Sequence, residues 1–511
     1  MYSVVSTAII HGIESIPVFV EADVCDGLPV FEMVGFLAAE VKESKERVRT
    51  ALRNAGYVLP AKRITVNFSP ANIRKSGSGF DIPIAVAVLA AMGVVAPQSL
   101  AGTFLIGEMG LNGKTQPVSG ILPMVAEAKR QGIGRCIVPP DNVREAGLVS
   151  GIEILAADSL GAVLAILRGE PGGICGPPIN IEETVEEHKL DFADIHGQKL
   201  LKRACEVAVS GMHNLLMMGP PGAGKTMIAA RIPTIMPPLT ADEQMELSKI
   251  YSVSGLFRKR EHLMQERPFR APHHTITMQG LSGGGVVPKP GEISLAHKGV
   301  LFLDELAEFQ KNALDVLRQP MEEKTVRLVR LHGSYDFPAD FMLVAAMNPC
   351  KCGYYPDMQR CRCSAQSVSR YIGKISKPLL DRIDICVEAP QLLFRELNET
   401  QAEETSKEIR TRVLETQQLQ RERYRGEDFS YNSQITGVKV KEYCCLSQKQ
   451  EDYMGQIYQK LNLTARSYHK VLKVARTLAD LEQSRDISMA HLKEAVCYRS
   501  VDRQFWEAAR D

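Results

Sequence analysis

Residues 219–226 constrain the fold of this chain more than any other segment, because they match the pattern G-x-x-x-x-G-K-[ST] of a phosphate-binding loop. An apolar run, residues 214–218, precedes the loop, and residues 227–231 continue it as a helix. Glycines let backbone N–H groups turn toward phosphate oxygens, and the helix N-terminus adds the positive end of a dipole. A chance glycine-rich turn, the alternative, would not explain both flanking elements. The predicted phosphate-binding residues are Gly219, Pro220, Pro221, Gly222, Ala223, Gly224, Lys225 and Thr226.

Two side chains at the end of this loop predict which ligands it holds. Lys225 can reach the β- and γ-phosphates of a nucleoside triphosphate, and the Thr226 hydroxyl can ligate Mg²⁺. The sequence therefore predicts ATP and Mg²⁺ as cofactors. A phosphate-binding loop alone indicates binding, and hydrolysis requires further groups.

Two later apolar runs end in polar side chains that supply those groups. Residues 300–303 lead to Asp304 and Glu305, and residues 341–347 lead to Asn348. Asp304 can hold Mg²⁺ through its water shell, Glu305 can polarise the attacking water, and Asn348 can orient that water. The alternative for the two acids is a helix cap followed by a first-turn carboxylate. Three polar side chains at two strand ends after one phosphate-binding loop favour an ATP hydrolase.

Two arginines are candidates for stabilising the charge that develops during phosphoryl transfer. Arg382 lies between two acids, and Arg466 lies at the start of a predicted helix. An arginine supplied by a neighbouring subunit can act as a finger on the transferring phosphoryl group. Spacing alone leaves a structural salt bridge from Arg382 to Asp381 or Asp384 equally open.

Length and composition set the overall class. The 511 residues exceed one compact domain, and 45% hydrophobic with 24% charged residues is ordinary for a globular chain. Lys and Arg number 61 against 60 Asp and Glu, so any contact with nucleic acid must rest on local charge. The longest apolar run, residues 82–92, falls short of the roughly 20 residues that span a bilayer. No signal peptide is evident and the cysteines are mostly scattered, so we expect a reducing cytoplasm and no membrane partner.

Composition shifts along the chain predict three domains. Residues 169–178 are crowded with Gly and Pro and run into an acidic stretch, which is typical of a linker. We expect an α/β multidomain protein, with an α+β N-terminal domain, a parallel-sheet nucleotide-binding core and a helical C-terminal region. The predicted divisions are residues 1–170, a linker at 171–190, residues 191–390 and residues 391–511.

Four cysteines form a C-x-C-x₈-C-x-C cluster directly after Asn348. Four thiolates in two pairs suit a tetrahedral, structural Zn²⁺, which would leave no open coordination position for catalysis. The alternative is four reduced cysteines in a loop. The candidate zinc ligands are Cys350, Cys352, Cys361 and Cys363.

Several motifs together resemble the AAA+ ATPases of the magnesium-chelatase-like group. Beside the phosphate-binding loop, these motifs are LFLDE at 301–305, AAMNP at 345–349, LLDRID at 379–384, LTARSY at 463–468, RAPHHT at 270–275 and GEISLAH at 291–297. The resemblance implies that Asp304 and Glu305 form the Walker B pair, that Asn348 is sensor 1 and that Arg466 is sensor 2. It also implies that Arg382 is a finger acting in trans, and hence a homohexamer.

The same resemblance extends to a base-binding segment and to the N-terminal region. Residues 192–198 are similar to the adenine-cradling segment of such modules, which assigns Ile195 and Gly197 to the cofactor. Residues 75–81 and 107–121 look like the Lon-protease fold. A Lon-like domain before a chelatase-like core is the arrangement of the ComM/YifB family, of which the chain is identified as a member.

The Lon-like segment lacks the residues of a Lon-type catalytic dyad. Lon proteases use a serine that a lysine activates. Alignment with the family's motifs places Gly79 at the serine position and Met124 at the lysine position. Ser76 and Ser78 lie nearby, without an evident base. We therefore expect a non-proteolytic scaffold that helps to assemble the ring.

Basic residues in two loops are candidates for nucleic-acid binding. Residues 324–334 mix polar and apolar side chains like a hairpin strand, and residues 280–291 form a glycine-rich, flexible loop. The resemblance implies that loops at these places face the central pore of the ring, where Arg327, Arg330 and Lys289 could track a phosphate backbone. An ordinary solvated surface is the alternative.

Three functions fit this chain, and we favour the first. The family implies a hexameric DNA helicase that promotes branch migration in homologous recombination and natural transformation. Its DNA would be single-stranded or branched and bound without regard to sequence. The alternatives are the motor subunit of a metal-chelatase-type complex and an ATP-driven protein remodeller.

Overall fold

The computed structural model describes residues 2–170, 174–175, 190–257, 260, 262–331, 333–391 and 403–502. The interpretation of residues 171–190 as a linker therefore falls almost wholly outside the described residues. The chain is a mixed α/β multidomain protein, as the sequence predicts. Within the described ranges, no helix is both long enough and apolar enough to cross a membrane.

The N-terminal region is built on an eight-stranded mixed sheet. Its strand order is β10-β9-β8-β5-β1-β2-β4-β3, and a separate small hairpin pairs β6 with β7. β1 and β2 are antiparallel along their whole length, because Gly12 adopts a positive φ of 69° in the tight turn between them. The strands are Tyr2–His11 (β1), Glu14–Cys25 (β2), Val30–Val34 (β3), Arg63–Ser69 (β4), Thr103–Leu105 (β5), Glu108–Met109 (β6), Thr115–Gln116 (β7), Arg135–Val138 (β8), Glu153–Ala156 (β9) and Ile174–Cys175 (β10).

One helix, Asp81–Ala91, forms the centre of this domain. All of its residues are buried, which explains why its sequence is apolar on every side. It packs on β1 and β2, and its buried Asp81 carboxylate accepts two hydrogen bonds from the Arg47 guanidinium at 3.0 and 3.1 Å. The other helices of the region are Ala39–Asn54, Ile121–Arg130, Val143–Ala146 and Leu160–Arg168, with 3-10 turns at Pro97–Leu100 and Pro140–Asn142.

The middle region contains a five-stranded parallel sheet. Its strand order is β12-β15-β18-β11-β19. The strand that comes first in the chain, β11, therefore lies between β18 and β19. Because all five strands run in parallel, their carboxyl ends share one edge. The strands are Leu215–Met218 (β11), Phe269–Arg270 (β12), Gly283–Gly284 (β13), Lys289–Pro290 (β14), Val300–Leu303 (β15), Thr325–Arg330 (β16), Gly333–Pro338 (β17), Met342–Met347 (β18) and Ile385–Glu388 (β19).

Helices cover this sheet, and two antiparallel hairpins project from it. β13 pairs with β14, and β16 pairs with β17. The helices of the region are Lys199–Gly211, Lys225–Ala229, Ile232–Ile235, Ala241–Ser254, Met278–Ser282, Glu292–Leu295, Lys311–Asp315, Arg318–Glu323, Ala365–Ile372 and Lys377–Leu380, with 3-10 turns at Phe192–Asp194 and Leu306–Glu308.

The C-terminal region is helical and docks on the parallel sheet. Lys470 donates to the backbone carbonyl of Ile383 at 2.8 Å and lies 3.4 Å from the Asp384 carboxylate. Burial alone would raise the pKa of Asp384, but Lys470 and His213 outweigh it and hold that pKa well below its usual range. The helices are Ser406–Arg423, Lys439–Tyr443, Gln448–Lys460, Ala465–Leu481 and Met489–Asp502, with a 3-10 turn at Asn432–Gln434.

The N-terminal domain packs directly against the nucleotide-binding core. Helix Ile121–Arg130 lies on helix Ala241–Ser254, and one apolar core runs across both. The buried carboxylate of Glu145 accepts hydrogen bonds from the Ser252 hydroxyl at 2.5 Å and from the Leu122 backbone N–H at 3.3 Å. Because one donor comes from each of the two regions, this buried carboxylate fixes how they pack against each other.

The same domain also touches hairpin β16–β17. The imidazole of His11 stacks on the ring of Tyr335, with centroids 4.7 Å apart. A Cβ atom built on Gly12 would lie 2.9 Å from the backbone oxygen of Asp336, so only glycine permits this approach. The β1–β2 turn therefore rests against the backbone of the hairpin.

Candidate nucleotide-binding site

The phosphate-binding loop follows β11 at the carboxyl edge of the parallel sheet. Lys225 is the first residue of helix Lys225–Ala229, and its ammonium donates to the carbonyls of Gly219 and Pro220 at 2.7 and 2.8 Å. It also donates to Asn348 Oδ1 at 3.2 Å. Burial lowers the pKa of Lys225, while the Asp304 carboxylate acts in the opposite direction. The ammonium is thus held among neutral oxygens that phosphate oxygens can replace.

The two predicted magnesium ligands lie in direct contact. Thr226 Oγ1 donates to Asp304 Oδ2 at 2.6 Å, and the other Asp304 oxygen accepts from the Glu305 backbone N–H at 2.9 Å. A hydroxyl and a carboxylate are hard oxygen ligands of the kind that Mg²⁺ prefers. Glu305 precedes the turn Leu306–Glu308, and its side chain forms no cap hydrogen bond to that turn.

Glu305 has a partner that sequence reasoning missed. Its backbone is left-handed with a φ of 53°, and its carboxylate lies 3.2 Å from His274 Nδ1. The His274 ring in turn packs against the His273 ring, with centroids 4.1 Å apart and planes tilted by 33°. β12 pairs in parallel with β15, which brings the residues after Arg270 beside the strand end that carries Asp304 and Glu305. The RAPHHT motif contains His274 and was the available sequence signal for this contact, but it indicated only the family.

The segment before the core's first helix lies against the phosphate-binding loop. Ile195 is fully buried, and Gly197 has a φ of 63° and donates its N–H to the Glu403 carboxylate at 2.8 Å. The Gln198 amide donates to the carbonyls of Ala223 at 3.2 Å and Pro390 at 2.8 Å. These bonds tie the predicted adenine-cradling segment to the loop.

The ion pair of Arg382 differs from the one the sequence suggested. Its guanidinium pairs with Glu322 at 2.6 Å and donates to the Pro378 carbonyl at 2.6 Å. Neither Asp381 nor Asp384 is its partner. Arg382 does form a salt bridge, but the predicted partners were wrong. The true partner lies sixty positions away in sequence, and local spacing carries no signal for it.

Arg466 is the second residue of helix Ala465–Leu481, whose first turn is capped by Thr464 at 3.1 Å. Its side chain is exposed and forms no ion pair with the described residues. Neither Arg382 nor Arg466 bonds to residues 219–226 of its own chain, as far as the described ranges extend. The structure therefore brings together Lys225, Thr226, Asp304 and Asn348, and leaves the two arginines outside this group.

The four clustered cysteines converge on one point. All four Sγ atoms lie within 4.8 Å of one another, and the Cys350–Cys352, Cys352–Cys361 and Cys350–Cys361 separations are 3.3, 3.5 and 3.8 Å. A Zn–S bond of about 2.3 Å in a tetrahedron places sulfur atoms about 3.8 Å apart. The donor set and its spacing therefore fit Zn²⁺.

The predicted basic residues lie on the two projecting hairpins. Arg327 pairs across its hairpin with Asp336 at 2.8 Å, whereas Arg330 donates to the Val329 carbonyl at 3.1 Å and forms no ion pair with the described residues. Gly284, the partner of Lys289 in the other hairpin, approaches the Arg330 guanidinium closely. The two hairpins are therefore neighbours. Within residues 280–291, residues 280–282 end helix Met278–Ser282, and β13 and β14 then pair so closely that a Cβ on Gly291 would lie 2.2 Å from the Gly283 nitrogen.

The Lon-like region does not assemble a serine–lysine pair at the aligned positions. A Cβ on Gly79 would already lie 2.9 Å from Ile106, and Met124 is buried in the apolar core. Ser78 donates to the Glu108 carboxylate, a contact that sequence reasoning missed. The ammonium of the buried Lys75 donates to the Pro70 carbonyl, and burial lowers its pKa.

Comparisons with known proteins cover nearly the whole chain. The family model "Magnesium chelatase, subunit ChlI" matches residues 191–397, "Subunit ChlI of Mg-chelatase" matches residues 20–142, and "Magnesium chelatase, subunit ChlI C-terminal" matches residues 403–499. The chain is 39% identical to the uncharacterized protein YifB of Escherichia coli over 502 residues, which cover 98% of this chain and 97% of YifB. It is 40% identical to the competence protein ComM of Haemophilus influenzae over 498 residues, covering 96% of each chain. A stretch of 125 residues, 24% of this chain and 22% of the relative, is 32% identical to Lon protease 2 of Bacillus subtilis.

Proposed function

Because the chain belongs to the ComM/YifB family of magnesium-chelatase-like AAA+ ATPases with a Lon-like N-terminal region, we propose that it is an ATP-driven DNA motor. Its activity would be that of a hexameric helicase that promotes branch migration during homologous recombination, including the integration of transforming DNA. The observation that carries the proposal is the contact among Lys225, Thr226, Asp304 and Asn348 at one sheet edge. The competence protein ComM among the relatives supports the link to DNA.

The site residues divide the hydrolytic work among them. Lys225 would exchange its carbonyl partners for β- and γ-phosphate oxygens, and Thr226 with Asp304 would hold Mg²⁺. Glu305 takes up a proton from the attacking water, which Asn348 orients toward the γ-phosphate. Ile195 and Gly197 contribute the adenine side of the site. Among the described residues of one chain, neither candidate arginine, Arg382 or Arg466, bonds to the phosphate-binding loop.

The position of Arg382 supports assembly of the chain into a ring of several copies. Arg382 is held by Glu322 and Pro378, away from the phosphate-binding loop of its own chain. An arginine in that position can serve the site of a neighbouring copy. Arg466, exposed on the helical C-terminal domain, supplies the sensor 2 contact. We therefore propose a homohexamer in which each ATP lies between two chains, with the non-proteolytic N-terminal domain as a scaffold.

The neighbouring hairpins are the proposed DNA contact. They carry Arg330 and Lys289 beside apolar side chains that remain exposed, including Val286 and Leu331. Cations bind backbone phosphates, and apolar tips can contact unstacked bases, so this surface suits single-stranded or branched DNA. No disulfide joins the cysteines in the described part of the chain, which supports our proposal of a place in the reducing cytoplasm.

Replacing Arg330 with Ala should weaken DNA binding and reduce the salt dependence of the binding constant. One lost phosphate contact lowers the slope of log K against log salt by about one. Arg327→Ala should cost less, because Asp336 already compensates that charge within the hairpin. Fluorescence anisotropy with a forked oligonucleotide at several salt concentrations measures both effects. Arg49→Ala, on an exposed face of the N-terminal domain, is the control. Equal losses in Arg330→Ala and Arg49→Ala would contradict the assignment.

Lys225→Ala tests the motor as a whole. The variant should lose ATP hydrolysis and with it ATP-dependent branch migration of a Holliday-junction substrate, since Lys225 contacts the phosphates that drive the motor. Lys199→Ala, which removes an exposed lysine from a nearby helix, should leave both activities intact. Branch migration by Lys225→Ala at the wild-type rate would refute the motor. ATP hydrolysis by the wild-type protein without any effect on DNA would favour a protein remodeller or a chelatase-type motor.

A further inference from the structure

The cysteine cluster lies against the ATP site itself. Cys350 is two residues after Asn348, whose side chain accepts from Lys225. Gly353, between the two cysteine pairs, has a φ of 86°, and a Cβ built on it would lie 2.5 Å from Pro221 of the phosphate-binding loop. We propose that Cys350, Cys352, Cys361 and Cys363 bind one structural Zn²⁺, and that this zinc clip holds the phosphate-binding loop in its ATP-binding conformation.

The donor set by itself supports the metal. Cys350 and Cys361 are nearly fully buried, with exposed fractions of 0 and 5%, and Cys352 and Cys363 are half-buried beside them. Buried thiols this close, with sulfur separations from 3.3 Å to at most 4.8 Å, fit one tetrahedral ion with four thiolate ligands. Four ligands from the protein leave no position for water or substrate, so the ion is structural.

The zinc clip has two anchors on the ATP site. On one side, a Cβ atom on Gly353 would lie 2.5 Å from the Pro221 ring, so the backbone of Gly353 packs onto that ring with no space for a side chain. At its other end, Arg360 Nη1 donates to Gln391 Oε1 at 2.8 Å, and its guanidinium lies 4.6 Å from the centre of the Tyr354 ring. Gln391 is two residues beyond Ala389, whose backbone contacts Gly219. The zinc clip therefore touches the phosphate-binding loop at Pro221 and is tied through Gln391 to the segment that follows Ala389.

Zinc supplies the one cross-link that this segment otherwise lacks. Residues 351–363 contain turns but no regular helix or strand, so few backbone hydrogen bonds define their shape. An ion shared by residues 350–352 and 361–363 joins the two ends of the segment and fixes Gly353 against Pro221. Loss of the ion should free the phosphate-binding loop on this side and weaken nucleotide binding. This inference rests on the proposed ATP site.

The first experiment measures zinc content and nucleotide affinity in the same full-length preparations. The wild-type protein, purified without added zinc, should contain about one zinc per chain by plasma mass spectrometry. Cys352→Ser combined with Cys363→Ser should contain almost none, and its dissociation constant for a fluorescent ATP analogue should rise about tenfold or more. Cys445→Ser, an exposed cysteine outside the cluster, should change neither quantity. Clearly substoichiometric zinc in the wild-type protein, or disulfides in its place, would overturn the metal site.

A second variant tests the contact without touching the ligands. Gly353→Ala should keep one zinc per chain but still weaken binding of the analogue several-fold, because the new methyl group collides with Pro221. Gly426→Ala places the same strain at a φ of 93°, where a Cβ would meet nothing within 4 Å, and should bind the analogue normally. Unchanged affinity in both Gly353→Ala and the zinc-free variant would overturn the coupling to ATP. Neither readout involves DNA, so failure of the zinc proposal can be told apart from failure of the proposed motor. If the wild-type protein does not bind the analogue at all, the proposed ATP site itself is wrong.

Discussion

Replacing Glu305 with Gln is expected to slow ATP hydrolysis by a factor of about 10² to 10⁴, the usual contribution of a general base. The amide keeps the size and hydrogen-bonding reach of the carboxylate but cannot accept the proton of the attacking water. Mg-ATP should still bind, because Lys225, Thr226 and Asp304 are unchanged. Single-turnover hydrolysis, measured alongside the affinity for a fluorescent ATP analogue, separates the two effects.

Glu308 offers a matched control for that variant. It lies three residues further along, in the same turn, and forms a half-exposed ion pair with Lys374 at 3.1 Å. Glu308→Gln removes the same charge from the same turn and should leave hydrolysis within about twofold of the wild-type rate, as expected for a surface pair. If Glu305→Gln hydrolyses ATP as fast as Glu308→Gln does, Glu305 is not the base.

Replacing Arg382 with Ala should reduce hydrolysis by about 10³ or more, as the loss of an arginine finger does, while ATP binding persists. The physical reason is that the guanidinium of the neighbouring chain would no longer stabilise the charge that develops on the transferring phosphoryl group. The measurement is steady-state ATP turnover at protein concentrations that span ring assembly. Turnover by the wild-type protein should rise with concentration, because a lone chain lacks the finger.

A mixing experiment tests whether Arg382 acts in trans. Arg382→Ala keeps an intact phosphate site, and Glu305→Gln keeps an intact finger, so each variant alone should be inactive. In randomly mixed rings, about a quarter of the interfaces combine the two intact halves, and activity should return in proportion. A mixture that stays as inactive as its components would contradict a shared site.

Glu322 separates the finger from a purely structural salt bridge. Its carboxylate pairs with Arg382 at 2.6 Å within one chain. Glu322→Gln removes that pair but leaves the arginine, so a finger should retain most of its activity. If Arg382 served only stability, then Glu322→Gln and Arg382→Ala should lower the melting temperature and the turnover together.

The sequence predicts the centre of this site because strand ends are local features. An apolar run followed by Asp304 or Asn348 marks the carboxyl end of a buried strand, and parallel pairing collects such ends at one edge. The phosphate-binding loop needs only its own eight residues and the flanking elements. These parts of the site therefore follow from residues that are adjacent in the chain.

The contacts that sequence reasoning missed are long-range. His274 contacts Glu305 because β12 lies beside β15. Arg382 pairs with Glu322, which lies on a separate helix. The order of residues along the chain does not specify which polar side chains meet once the sheet has formed. The β13–β14 pairing within residues 280–291 was not predicted, for a related reason. Gly283 and Gly291 permit backbone contact between strands, a use of glycine that composition cannot distinguish from flexibility.

The contact between the β1–β2 turn and hairpin β16–β17 has a mechanical consequence. If DNA binds the hairpin as we propose, its load would pass through the His11–Tyr335 stack and the Gly12 backbone into the N-terminal sheet. A two-stranded hairpin is compliant on its own, whereas an eight-stranded sheet with a fully buried helix resists bending. The Lon-like domain would then act as a stiff support for the proposed DNA contact.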